Sequence, residues 1–173
     1  MKPHLLPANC TVLALSAFTA AVFHVGYLPS FGQDLALHEN NATVIVRYFD
    51  EVINAHNLSR KGAFFQEPYI WHTMDGRDVR SDADSGHTAA LRWVFTAMPD
   101  VQYTLVHILA QGDMVAVNTA GTGTARSEMF GLPAAQKKVH FQQMFFYRLS
   151  AGKIIEQWEA IDAGGIRAQL EAK

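Results

Sequence analysis

The 173-residue chain is 49% hydrophobic and 17% charged, with a formal net charge of −2. That apolar content is ample for one core, and the charge offers no electrostatic footprint to nucleic acid or an anionic membrane. The single cysteine, Cys10, lies near the N-terminus, which leaves the remainder without a disulfide or a thiolate metal site.

Residues 1–32 run from a weakly basic start at Lys2 through an apolar stretch, Val12 to Phe23, to small residues at Ser30 and Gly32. This order is that of a cleaved secretory signal peptide. Cleavage near Gly32 leaves 33–40 as a short linker and 41–173 as one domain, secreted or periplasmic and without stable membrane insertion. The alternative is an uncleaved membrane anchor, because apolar character resumes at Val25; His24 and Pro29 interrupt it, and it is short for a span.

Asn41 to His56 begins with a good N-cap residue and carries Ile45, Tyr48, Phe49, Val52 and Ile53 at helical spacing. A short second helix through Lys61, Ala63 and Phe64 ends before Glu67-Pro68. Tyr69 to His72 reads as a short strand and Asp75 to Asp84 as a polar loop. A third helix, capped by Asp84 or Ser85, has the stripe His87, Leu91, Val94, Phe95 and Met98 and stops at Pro99.

The period then changes from that of a helix to that of strands. Val101–Ala110 and Met114–Thr124 alternate about a turn at Gly112-Asp113, with Tyr103, Leu105, His107 and Leu109 expected on one face. After a loop from Ala125 to Gln136, Lys137 to Asp162 forms two long strands about Ser150-Ala151-Gly152. A short amphipathic tail helix follows through Ile166 and Leu170. Helices set before a meander of antiparallel strands give an α+β class, a curved sheet wrapped against the helices.

Alternation on the last hairpin sets His140, Gln142, Met144, Phe146 and Arg148 on one face. It groups Trp158 and Asp162 with Ile154 on one face of the partner strand. Polar groups among large apolar ones suit a small-molecule pocket. The expected lining is therefore Gln142, Met144, Phe146 and Trp158 with His140, completed by Tyr48 and Trp71. Glu159 falls on the opposite face and is expected at the surface or an interface. His72, His87, His107 and His140 show no ligand-spaced pair, so no metal is expected, and no Gly-x-Ser-x-Gly elbow supplies a nucleophile.

The segments VRYFDEVINAHNL, EPYIWH, FTAMPDVQYTLVHILAQGDMVAVNTAGTGT and FGLPAAQKKVHFQQMFFYRLSAGKIIEQWEAID resemble the SnoaL-like polyketide cyclases and ester cyclases of the NTF2-like superfamily. The resemblance implies an α+β cone, commonly dimeric or tetrameric, with its cavity between the helices and the concave sheet face. It implies acid/base catalysis of an intramolecular aldol closure by an aspartate late in the sheet, without metal or cofactor. The family's Trp-x-x-x-Asp ending matches Trp158 to Asp162, and its histidine after the second helix matches His72. Where many members have an acidic residue before that histidine, this chain has Trp71.

Asp162 reads equally as the N-cap of the tail helix, and His72 equally as a buried histidine bonded to a backbone carbonyl. The resulting expectation is an exported, cofactor-free enzyme of cyclase or isomerase type. Asp162, aided by His72 and His140, would act on an apolar carbonyl-bearing small molecule within a homodimer. The alternatives are a non-catalytic module for a hydrophobic ligand and an association scaffold.

Overall fold

The computed structural model describes residues 41–172; the expected signal peptide, its cleavage point and the linker lie outside the described residues. Helix α1 occupies 41–53 and widens to a π-helix over Phe49–Ile53. Its apolar residues Ile45, Tyr48, Phe49, Val52 and Ile53 are all buried, the stripe by which an amphipathic helix packs on a core. Asn41, expected as a cap, is itself helical, and its side-chain amide donates to the carbonyl of Gly112 at 3.1 Å. The second helical segment, Leu58–Ala63, is a 3₁₀ helix.

Strand β1 spans Phe65–His72 and starts earlier than expected. Its register shifts between Phe65 and Ile70, around Pro68, where a residue without an N–H is tolerated in a sheet. Strand β2, Asp78–Ser81, lies in the stretch expected as a loop and pairs antiparallel with β1. Helix α2 covers His87–Ala97, and Gly86 occupies the cap position assigned to Asp84 or Ser85. Asp82 instead accepts from the backbone N–H groups of Asp84 and Ser85, and Ser81 Oγ accepts the N–H of His87.

Strands β3 (Gln102–Gln111), β4 (Met114–Thr124), β5 (Lys138–Ser150) and β6 (Lys153–Ile161) form the meander, and helix α3 spans Ala163–Glu171. All six strands make one sheet in the order β2-β1-β6-β5-β4-β3. Only the β1–β6 pair is parallel.

Two bulges decide which side chains face inward. In β3 the pairing skips Val106, so Tyr103, Leu105, Ile108 and Ala110 pack against the core while His107 and Leu109 face out. In β6 Leu149 pairs with Ile154 but Arg148 with Glu156, which leaves Ile155 as an extra residue. A bulge shifts alternation by one: Ile154 is buried, and beyond the bulge Gln157, Glu159 and Ile161 turn inward. Strand β5 is regular, with Val139, Phe141, Gln143, Phe145, Tyr147 and Leu149 buried and the alternate residues on the outer face.

The core has two parts. One joins α1 to β1, β4, β5 and β6; the other packs Ile166 and Leu170 of α3 with Met98, Val101, Met129, Val139 and Phe141. Ile154, fully buried beside the β6 bulge, offers a test. Ile154→Ala is expected to destabilise the chain by about 2–5 kcal/mol. Leu109→Ala, at a side chain 73% exposed, should change stability by less than about 0.5 kcal/mol. Urea unfolding of both variants measures the contrast.

Candidate active site

The inner sheet face, α1 and α2 enclose a cavity of about 210 Å³. Tyr48, Phe49 and Ile53 enter from α1, and Leu91 and Val94 from α2; Phe145 and Tyr147 form the sheet wall. Met74 and Trp93 line the cavity and are also exposed, which places its mouth beside them. Phe130 meets Trp93 edge to face at 6.5 Å. Among the described residues no lysine or arginine side chain lines the cavity, and its one carboxylate is Glu159.

Three strands position that carboxylate. Trp71 Nε1–H on β1 donates to Glu159 Oε1 at 3.1 Å, and Gln143 Nε2–H on β5 donates to Oε2 at 3.0 Å. Tyr103 Oη–H in turn donates to Gln143 Oε1 at 3.2 Å, which fixes the amide. Burial pushes the Glu159 carboxyl above its ordinary range, and the two donors oppose the shift.

Gln157 and His87, also in the cavity wall, belong to a second polar chain. Gln157 Nε2–H donates to His87 Nε2 at 3.0 Å, so the ring proton sits on Nδ1, 3.0 Å from Tyr69 Oη. Desolvation first, and the charge of Lys61 second, hold His87 neutral with its pKa pushed down to about 3. Lys61 is itself buried. Its ammonium donates to Thr88 Oγ1 at 2.8 Å and lies 4.4 and 4.3 Å from the ring centres of Phe65 and Tyr69, so cation–π attraction replaces part of its lost hydration. Burial lowers its pKa to about 8.

Of the residues singled out from sequence, Tyr48 and Trp71 line the cavity. Asp162 is the N-cap of α3, where Oδ1 accepts the N–H of Gly165 at 2.8 Å, and it is not in the lining. His72 stacks on Trp158 with ring centres 4.2 Å apart and places Nδ1 2.7 Å from Asp78 Oδ1. That stack belongs to the outer face, where Phe146 and Trp158 border a separate hollow. His140 and Gln142 are exposed and Met144 is 49% exposed. The face expected to line the cavity is therefore the outer one, and Glu159, expected at the surface or an interface, is inside.

The physical reason is the β6 bulge together with the two alternatives on β5, both of which mix aromatic and polar residues. Reading from sequence missed Gln143 and Gln157, set Glu159 on the wrong face, and saw His87 as part of a helix stripe and as one of four histidines without ligand spacing. One signal was present. Gln143 is the single polar residue in the series Val139, Phe141, Gln143, Phe145, Tyr147, Leu149, and a lone polar group on an apolar face needs a buried partner. Among the described residues no group of three or more His, Cys, Asp or Glu side chains converges as a metal site. Nor is any described helix long and apolar enough to cross a membrane.

Residues 43–170 match the model of the SnoaL-like polyketide cyclase family. AclR from Streptomyces galilaeus, a proposed hydroxylase, superimposes with a TM-score of 0.68 at 22% identity, covering 77% of this chain and 96% of AclR. IdmH from Streptomyces antibioticus, a proposed polyketide cyclase, gives 0.66 at 21% identity over 76% of this chain and 99% of its own. A proposed SnoaL-like polyketide cyclase from a Jannaschia species gives 0.68 at 18%, over 79% and 94%. No curated sequence matches significantly. At these identities the structural likeness is one of fold.

The neutral His87 gives the site a measurable pH dependence. The unfolded chain protonates this imidazole near pH 6.5, whereas the folded chain resists until about pH 3. Between those values the unfolded state binds more protons, so stability falls as pH falls through the window. The loss from this group approaches about 1.4 kcal/mol per pH unit. Urea unfolding of wild type and His87→Gln across that range should show a steeper acid decline in wild type; parallel profiles would refute the assignment.

Proposed function

The chain belongs to the SnoaL-like polyketide cyclase family, and on that premise we propose a cofactor-independent acid/base enzyme of cyclase or isomerase type, with Glu159 as the group that moves the proton. One observation carries the reading: the only carboxylate that the described residues place in the cavity wall is buried, oriented from two sides and raised in pKa. A carboxylate shifted toward neutral pH is a stronger base than one in water.

In its ionised form Glu159 takes a proton from the carbon alpha to a substrate carbonyl; the C–H electron pair forms the C=C bond of the enolate, and the C=O π pair moves onto the oxygen. In a cyclase the enolate carbon attacks a second carbonyl of the same molecule, forming a C–C bond, and Glu159 returns the proton to the new alkoxide. In an isomerase the proton returns to a different carbon. Trp71 and Gln143 hold the carboxylate in line throughout, and the apolar walls exclude the water that would quench the enolate. The substrate is an apolar, carbonyl-bearing small molecule.

The competing assignment gives the role to Asp162 with His72 and His140, and the cap bond of Asp162 and the outer-face placement of the histidines weigh against it. A second reading, a non-catalytic module for a hydrophobic ligand, is favoured by the two donors already bound to Glu159. Export is supported by the Lys2, Val12–Phe23 and Ser30–Gly32 pattern. Association of copies into a homodimer is supported by exposed Leu109, Met144 and Phe146.

Exchange of the alpha protons of 1-tetralone in D2O, followed by proton NMR, tests the chemistry. Wild type is expected to accelerate exchange, Glu159→Gln to lower the rate at least about a hundredfold, and Asp162→Asn to keep it. Retention in Glu159→Gln with loss in Asp162→Asn transfers the role to Asp162. Tight binding with no exchange in wild type would establish the binding module instead.

A further inference from the structure

Two polar atoms in the cavity wall have no partner. Tyr48 Oη and Gln157 Oε1 are buried and make no hydrogen bond among the described residues; Tyr48 is 1% exposed, Gln157 0%, and both line the cavity. Folded proteins satisfy nearly all such groups, and exceptions call for an explanation. Here two exceptions share one cavity.

Their chemistry is complementary. Tyr48 Oη–H can donate, and burial keeps the phenol protonated well past its ordinary range. Gln157 Oε1, an amide carbonyl oxygen, can only accept, and one N–H of the same amide donates to His87. Among the described residues the lining holds no lysine or arginine to balance an anion, and its carboxylate would repel one. Aromatic surfaces line the same cavity: Phe49, Tyr103, Phe145 and Tyr147.

We propose that Tyr48 and Gln157 form the polar recognition pair for a neutral hydroxy-carbonyl ligand. Tyr48 Oη–H donates to its carbonyl oxygen, and Gln157 Oε1 accepts from a hydroxyl of the same molecule. The ligand class is a hydroxylated aromatic or alicyclic ketone, without carboxylate or phosphate. The proposal rests on the cavity being the substrate site but not on Glu159 being the base. If Glu159 removes an alpha proton, the Tyr48 hydrogen bond also stabilises the oxygen on which negative charge then develops.

Isothermal titration of the full chain with four kinds of probe tests this. The probes are 1-tetralone (carbonyl alone), 2-naphthol (hydroxyl alone), the 6- and 7-hydroxy-1-tetralones (both groups) and 2-naphthoate (an anion). At least one hydroxytetralone is expected to bind wild type roughly fivefold or more tightly than either single-group probe, one net hydrogen bond being worth about that factor. Tyr48→Phe should weaken 1-tetralone and the hydroxytetralone by about fivefold and leave 2-naphthol unchanged. Gln157→Met should weaken 2-naphthol and the hydroxytetralone and leave 1-tetralone unchanged.

Unliganded Tyr48→Phe should melt at the wild-type temperature or above, because the deleted hydroxyl has no partner to lose. A clearly lower melting temperature, uniform losses across the probes, 2-naphthoate binding as tightly as 2-naphthol, or no binding of any neutral probe to wild type would each overturn the pair. The same titration on Glu159→Gln separates the two readings. An intact affinity pattern with normal exchange in that variant sinks the base alone, and a failed pattern with Glu159-dependent exchange sinks the recognition pair alone.

Discussion

Strand β6 pairs with β5 on both sides of Ile155 without accommodating Ile155 itself, and the polarity of the cavity depends on that one unpaired residue. Below the bulge Ile154 faces the core; above it Gln157, Glu159 and Ile161 face the cavity. Strict alternation from Ile154 would send Glu156 and Trp158 inward and Glu159 to water. The cavity would then present an indole where it now presents a carboxylate. Register with β5 sets the rest, since Gln143 lies opposite Ile161 and Phe145 opposite Glu159, which brings the Gln143 amide within bonding distance of the carboxylate.

A buried charge, Lys61, and a histidine of the cavity wall, His87, hold its roof. Lys61 of the 3₁₀ helix donates to Thr88 of α2, His87 of α2 bonds Tyr69 of β1 and Gln157 of β6, and Ser81 of β2 receives the first N–H of α2. Together these links fasten the first turn of α2 to the sheet and to the 3₁₀ helix, so that Leu91, Val94 and Trp93 overhang the cavity. An unpaired buried ammonium would be prohibitively costly. Here the threonine oxygen and two ring faces offset the loss of water. Groups with supports of this kind keep their orientation, and a catalytic or recognition site needs that of the residues around it.

The outer face of the same sheet is built differently. Trp158 stacks on His72, with the guanidinium carbon of Arg148 5.9 Å from its ring centre, and Arg148 bridges Asp113 and Glu156. These residues tie β1, β6 and β5 together across the surface. The two faces thus divide the polar residues of the hairpin into a surface network and a buried site. A proposed hydroxylase and a proposed cyclase share this fold, so the fold alone does not select a reaction; the buried groups do.

Sequence by itself determined the α+β class, the helix stripes from Ile45 to Ile53 and from His87 to Met98, the four-strand meander and the family. Those features rest on local periodicity and on runs of residues that are contiguous in the chain. It also left open the role of Asp162 between cap and catalyst; the structure shows the cap bond. Tertiary structure alone decided which faces of β3, β5 and β6 turn inward, that β2 exists, and that Trp71, Gln143 and Glu159 meet. A bulge adds a residue only relative to a partner strand, so Val106 and Ile155 carry no mark in the sequence that a one-strand reading can detect. The site residues lie as far apart as Trp71 and Glu159, and only parallel pairing of β1 with β6 makes them neighbours.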